Sequence, residues 1–549
     1  FVQVVSTLVE AQPIDSTTTP VSRKRVIRPS IRGGVFPPRH AQGACAACPW
    51  RGTHSTMSDA RSLTPRLPEA KLLIDGESVA PLDGGTVPVT NPATGETFFH
   101  APSAGPADVD RAVQAARRAF ESWSRMNPSA RGKLLRKLAD AVWERREEFA
   151  LVASLENGKT FKEAIRGDVA PGSATLAYAS EWPNKLTGEV LPVDGSFHTY
   201  VLREPIGVVA AIVPWNYATC LACWKLGPAL ASGCTVILKP SELTPLTGMK
   251  LGELAREVGF PPGVLSVLPG YGAPTGEALA RHPGVDKIAF TGSVRTARRL
   301  LHASADTNLK KLTLELGGKS PQVVFADADM GKAVEACFWG IFGNKGEVCN
   351  AGSRVLVDGT AHDTFVEKLV KRAREMVVGD PLDERTEMGA QVSQHQLETI
   401  LRYVDSGKSE GATLATGGER DREGVKAKGN FLKPTVFTDV QPHMRIAQEE
   451  IFGPVLSVLR FDDEGEALRL ANGTSYGLAA SIWTRDVARA HALARRVQAG
   501  VVWINCFNEF DDAAPFGGYK ESGWGRDLSA HALENYTQLK TVWTQLPEV

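Results

Sequence analysis

Short apolar, β-branched runs alternate with helix-length stretches twice over in this chain, and that alternation excludes most folds. "GVVAAIVPWN", "TVILKPSE" and "KIAFTGS" make the first set. "PQVVFADAD", "SRVLVDGT", "LSVLRFDDEGEALRLANGT" and "AASIWTRDVARAHALARRV" make the second. Unbroken apolar runs suit strands buried on both faces, and strand–helix alternation marks parallel sheets built from βαβ units. The expectation is an α/β chain in two halves, with Glu315 to Ser320 at their junction. Ahead of both, "PADVDRAVQAARRAFESWSRM" and "SARGKLLRKLADAVWERREEFALVASLENGK" read as amphipathic helices, each opened by a Pro or Ser start signal. "SFHTYVLREPIG" and "ENYTQLKTVWTQL" alternate polar and apolar residues like antiparallel strands, as an arm at a subunit interface would.

A length of 549 residues allows two or three domains with ample core. The 62 basic residues balance the 62 acidic ones, which argues against nucleic acid or an anionic membrane as partner. No apolar run reaches the length of a membrane span. Eight cysteines in so long a chain are not a disulfide framework and read as reduced thiols of a cytoplasmic protein. The pair Cys220/Cys223 lies in a helix-like apolar stretch and reads as core. Cys45/Cys48 has only His40 and His54 nearby and no second knuckle, so no metal site is expected. Residues 1–60 are rich in Arg, Pro, Ser and Thr, and the first methionine is Met57. They read as an unpacked extension, either upstream of a start at Met57 or a transit segment.

Chemistry concentrates around "NKGEVCNAGSR". Free cysteine is usually a buried small hydrophobe, so Cys349 becomes a nucleophile candidate only if the chain supplies a base and an oxyanion donor. "LELGGKSP" offers Glu315 at a strand end followed by two glycines, and "VPWNY" offers the Asn216 amide beside Trp215. Either could equally be a solvated charge or a turn former. Phosphate-binding features occur at three further strand ends. "LPGYGAPTGEAL" places Gly270, Gly272 and Gly276 in a glycine loop, one residue longer than the usual dinucleotide fingerprint. "FTGS" puts Gly292 and Ser293 before a helix, and "LKPSE" puts Lys239 and Glu242 where ribose hydroxyls could be met.

These stretches, with "EEIFGPV" and "PFGGYKESGWGRD", together resemble the NAD(P)-dependent aldehyde dehydrogenase superfamily, in the family's order, from about Leu72 onward. The resemblance implies a Rossmann-like cofactor-binding domain (61–190 and 208–315), an α/β catalytic domain (316–504) and a small β-strand oligomerisation arm (191–207 and 505–549). It matches Cys349 to the nucleophile, Glu315 to the general base, Asn216 to the oxyanion amide and Lys225 to a buried lysine supporting proton relay. Cofactor contacts are implied for Ile212, Pro214, Trp215, Lys239, Ser241, Glu242, Gly272, Gly276, Phe290, Thr291, Gly292, Ser293, Leu316, Gly317, Glu450 and Phe452. Two departures stand out. Glu347 replaces a common Gln and should turn away from the sulfur, and Gly343 replaces a large aromatic and implies a wider channel.

The resulting expectation is NAD+-dependent oxidation of an aldehyde to the acid through a cysteine thioester, with NADP+ the weaker cofactor and a homodimer or homotetramer as the assembly. Small residues Ala351, Gly352 and Ser353 are expected to leave the sulfur accessible. Trp215, Tyr217, Trp224, Phe342 and Phe516 are candidate walls of an apolar entrance, which would equally suit a quaternary ammonium. Two alternatives are a relative that passes the acyl group to coenzyme A, and a catalytically silent binding protein on the same fold.

Overall fold

In the computed structural model, which describes residues 59–547, strands Leu265–Val267, Thr235–Lys239, Val208–Ile212, Lys287–Thr291 and Lys311–Glu315 lie side by side and parallel. Residues 1–58 of the extension, with Cys45/Cys48 and Met57, lie outside the described residues, while Ala60 at its end is buried in the hydrophobic core. In chain order the five strands run 3-2-1-4-5, so the sheet reverses its direction of growth between Val208–Ile212 and Lys287–Thr291. Ligands of doubly wound sheets bind beyond the carboxyl ends of the strands at such a reversal. Leu72–Ile74 and Glu77–Val79 extend one edge antiparallel, and Gly523–Trp524 closes the other.

The unbroken apolar runs follow from burial on both faces. Val209 and Ala211 pack into one core and Val208, Ala210 and Ile212 into the opposite one. Helices Ala218–Ser232 and Leu246–Glu257 cover the first face, while Pro106–Trp123 and Val294–Ala305 cover the second. Pro106–Trp123 starts where its sequence signals it. Pro106 stands first, and the Asp108 carboxylate accepts the Gly105 N–H at 3.0 Å.

The second sheet has seven strands in the order Thr413–Thr416, Thr435–Thr438, Val455–Phe461, Arg354–Asp358, Pro321–Val324, Ala479–Trp483 and Val501–Ile504. All but the first are parallel. Alternate residues again feed two cores, Leu356 into one and Val355 with Val357 into the other.

Phe197–Pro205 and Thr537–Gln545 pair antiparallel over their whole length, Phe197 opposite Gln545, and Glu189–Leu191 adds a third strand. The sequence reading differs here in extent. Residues 505–536, grouped there with the arm, return instead to the body, where Tyr519–Lys520 pairs with Tyr476–Gly477 and Gly523–Trp524 joins the first sheet. The long second helix is also two, Pro128–Glu144 and Arg146–Asn157, broken at Arg145. Among the described residues no helix is long and apolar enough to cross a membrane.

Candidate active site

The first sheet delivers its residues from strand ends. Beyond Val208–Ile212 the chain passes through Trp215 and Asn216 before the helix Ala218–Ser232. Asn216 is buried, its Nδ2 donates to the Glu347 carbonyl at 3.2 Å, and its Oδ1 has no partner. Glu315 closes the strand Lys311–Glu315, only 4% exposed, with neither carboxylate oxygen hydrogen-bonded. The second sheet delivers Cys349 differently, from the loop between helix Met330–Phe342 and strand Arg354–Asp358. Gly318 packs so closely under this loop that a Cβ there would lie 2.6 Å from the Cys349 carbonyl.

Burial dominates the electrostatics. It drives the Glu315 carboxyl well above its usual range, Asp527 pushes it further, and Lys225 and Arg526 oppose the shift. The Cys349 thiol is pushed up to about 12 by burial and then by Glu450 and Glu315, against the backbone N–H groups of Asn350 and Cys349 itself. Glu450 is raised to about 7 by burial, its Oε1 accepting the Gly318 N–H at 3.1 Å. A buried carboxyl with no hydrogen-bond partner thus lies within electrostatic reach of the thiol. Sequence reasoning expected an open sulfur among small residues. Cys349 is partly exposed; its neighbours Ala351 and Ser353 are buried, and a Cβ on Gly352 would meet the Gln322 amide at 2.1 Å. These residues are small so that the loop can pack on the sheet.

Lys225 is fully buried and pairs with Asp527 at 2.5 Å. Asp527 lies inside "GWGRD", a family motif placed with the arm and given no part in the site; a lysine in an apolar helix was the signal that a carboxylate had to meet it. Ser522 was missed as well. Its Oγ donates to the Gly317 carbonyl at 2.7 Å and its own carbonyl accepts the Leu316 N–H, fixing the turn after Glu315. Glu347 turns away from the sulfur, its Oε1 accepting the Val392 N–H at 3.0 Å and its Oε2 lying 2.9 Å from Lys345.

The strand ends fit a dinucleotide. The buried Thr291 hydroxyl has no partner, and the Gly292 N–H is taken by the Glu315 carbonyl at 3.0 Å, which sets the register beside Phe290. Ser293 caps the helix Val294–Ala305 with its own hydroxyl, leaving backbone N–H groups for an anion. Lys239, buried and lowered to about 8 by burial, lies 3.8 Å from the partly exposed Glu242 and beside Gly276. Ser241 Oγ accepts the Leu243 N–H, and Gly272 has open space around it. Gly317 leaves no room for a Cβ against the Glu450 carboxylate, 2.0 Å from where one would stand. Ile212 and Pro214 border the turn to Trp215, whose ring meets Phe452 edge-on at 5.1 Å.

On the other side of the sulfur Trp224 packs against Phe516 at 5.4 Å and Phe510 at 6.2 Å, with Tyr217 and Cys349 against the same cluster. Phe510 was not foreseen. Trp215 belongs to the Phe452 side, and Phe342 is wholly buried against Phe338, so neither joins this wall. At Gly343 a Cβ would touch nothing, so the space an aromatic would fill is open.

A model of the "Aldehyde dehydrogenase family" matches residues 80–542. The chain is 45% identical over 481 residues to retinal dehydrogenase 2 of Homo sapiens, covering 87% of this chain and 92% of that one. The NAD+ complex of an aldehyde dehydrogenase from Bacillus cereus superposes with a TM-score of 0.85 at 45% identity, over 87% of this chain and 96% of that one. A P. syringae indole-3-acetaldehyde dehydrogenase variant in complex with NAD+ and IAA gives 0.86 at 44%, over 89% and 98%.

Proposed function

This chain belongs to the aldehyde dehydrogenase family, and on that premise we propose that Cys349, Glu315 and Asn216 carry out its oxidation of an aldehyde to the carboxylic acid with NAD+. The observation that carries the assignment is Glu315, a buried carboxyl with both oxygens unpartnered and within electrostatic reach of a thiol. A base spared from structural duty can take a proton from water.

Cys349 Sγ, its proton lost to solvent, adds to the aldehyde carbon. The carbonyl oxygen becomes an oxyanion, held by the Cys349 N–H and by the second Nδ2 proton of Asn216, since Glu347 takes only one. Bound at the strand ends, NAD+ supplies the hydride acceptor. Glu450, Lys239, Ser241 and Glu242 would hold it, with the backbone of 212–215, 290–293 and 316–317. The acyl group then sits on Cys349 as a thioester. Glu315 takes a proton from water, whose oxygen attacks the acyl carbon, and returning that proton to sulfur frees the acid and the thiol. That role supports water rather than coenzyme A as acyl acceptor. Lys225 and Asp527 set the charge that Glu315 feels.

Glu242 at the ribose position supports NAD+ over NADP+, whose extra phosphate would meet like charge. The walls of Tyr217, Trp224, Phe510 and Phe516 support an aldehyde with an apolar or aromatic body. Exposed Phe197, Leu202, Leu539 and Trp543 on the arm strands support a homodimer or homotetramer. Six free cysteines among the described residues support a reducing cytoplasm. The test is NADH formation with aliphatic, phenyl and trimethylammonio aldehydes, with mass spectrometry of the enzyme during turnover. An acyl mass on the Cys349 peptide is expected, and turnover without any such adduct in Glu315→Gln overturns the assignment.

A further inference from the structure

A set of buried polar links lies behind the reacting groups and crosses between the two halves. We propose that Lys345 is a positioning residue, which holds the Asn216 amide in register with the Cys349 loop by bridging Asn157 to Glu347. The proposal rests on the roles of Asn216 and Cys349 given above.

The links close into a ring. Asn157 Nδ2 donates to the Trp215 carbonyl at 3.0 Å, and Asn157 Oδ1 accepts from Lys345 Nζ at 2.6 Å. Lys345 Nζ lies 2.9 Å from Glu347 Oε2. The Glu347 carbonyl accepts from Asn216 Nδ2 at 3.2 Å, and Asn216 follows Trp215 in the chain. Asn157, Trp215 and Asn216 belong with the first sheet, whereas Lys345 and Glu347 lie on the loop that carries the sulfur. Asn157, Asn216, Lys345 and Glu347 are each 2% exposed or less. Water therefore cannot replace a lost link, and removing one member leaves its neighbours unpaired.

The backbone shows what the ring holds in place. Asn344, Lys345 and Gly346 are left-handed in succession, with φ of 41°, 64° and 70°. Two adjacent non-glycine residues keep that conformation only where their surroundings over-determine it. Asn344 Nδ2 donates to the Asn216 and Glu347 carbonyls at 3.3 and 3.1 Å, and Lys345 Nζ also reaches the Asn157 carbonyl at 3.3 Å. The loop can thus place its sulfur only where the first sheet's amide stands. Lys159 is the contrast. It donates to the Asn216 carbonyl at 2.6 Å and pairs with Asp168, but all three lie on the same side of the crevice.

The test uses Lys345→Met and Asn157→Leu, singly and together, in the full chain, with rates expressed per Cys349 that a thiol reagent can label. Each single variant is expected to lower kcat about ten- to a hundredfold while KM for NAD+ stays within about twofold. The double variant should be no worse than the weaker single one, because either break opens the same ring. Additive losses, or unchanged kcat per labelled site with only a lower melting temperature, would overturn the proposal. Should Lys345→Met not fold, Asn157→Asp keeps the acceptor for Lys345 and loses only the donor to Trp215. It should then show the kcat loss with an unchanged melting temperature, and native kcat in it counts against the ring. Native activity that vanishes in Cys349→Ser but survives in Lys345→Met strikes the ring alone and leaves the parent assignment standing.

Discussion

The two sheets meet the same crevice from opposite ends. The first presents strand ends, with Asn216, Lys239, Thr291 and Glu315 at or just past the carboxyl termini of parallel strands. The second presents the loops that lead into strands, Cys349 ahead of Arg354–Asp358, and Glu450 with Phe452 ahead of Val455–Phe461. Strand ends are held in register by the ladder and need little special backbone. The loops have no ladder and rely on left-handed residues, Asn344, Lys345, Gly346 and Phe452. One side of the site is set by topology, the other by close packing.

The largest expected effect tests the loop side. Cys349→Ser should lower turnover by roughly three orders of magnitude or more with NAD+ affinity retained, measured by steady-state rate and cofactor titration. Near-native turnover would remove the sulfur from the chemistry. Glu315→Gln tests the strand side. It should give one burst of NADH per site and then run about a hundredfold slower, because water activation follows hydride transfer. Stopped-flow traces without a burst would place Glu315 in thiolate formation instead.

Gly346→Ala sharpens the contrast in backbone. Gly346 has φ +70°, and a Cβ there would stand 2.2 Å from the Gly453 carbonyl carbon. A loss of about 2 to 4 kcal/mol in stability is expected from strain and overlap. An unchanged denaturation midpoint would mean the loop is softer than its packing implies.

Asp527→Asn shifts a pH profile. Asp527 adds to the rise that burial imposes on the Glu315 carboxyl, and without it Lys225 and Arg526 act against burial alone, so Glu315 should ionise at lower pH than in the native enzyme. The acidic limb of the hydrolysis rate should move down, read from single-turnover deacylation; an upward move would show that Lys225 no longer reaches Glu315. Glu242→Gln is the smallest. It should narrow the preference for NAD+ over NADP+ by about tenfold in kcat/KM, and an unchanged ratio would place the ribose elsewhere.

This contrast also explains what the sequence made legible. The runs "GVVAAIV", "TVILK" and "KIAFT" announce strands because both faces are buried, and the strand-end rule then locates Asn216, Lys239, Gly292 and Glu315. The loop side was legible only through family resemblance. Nothing in "NKGEVCNAGSR" announces three left-handed residues, nor that the smallness of Gly352 also lets the loop pack on Gln322. Asp527 and Asn157 escaped for a third reason. Their partners Lys225 and Lys345 lie 302 and 188 residues away in the chain, a separation no local pattern encodes.

The edge strand Gly523–Trp524, and Ser522 just before it, also fix an order of events during synthesis. Ser522 pins the turn after Glu315 but is translated 205 residues after its partner Gly317. At about 5 to 20 residues per second, the ribosome leaves the Lys311–Glu315 edge unpaired for roughly 10 to 40 s. Unpaired apolar edges recruit other strands. Nascent chains arrested near residue 500 should therefore be held by chaperones, and those arrested well past residue 524 should be released. Equal chaperone occupancy at both lengths would show that the edge is guarded some other way.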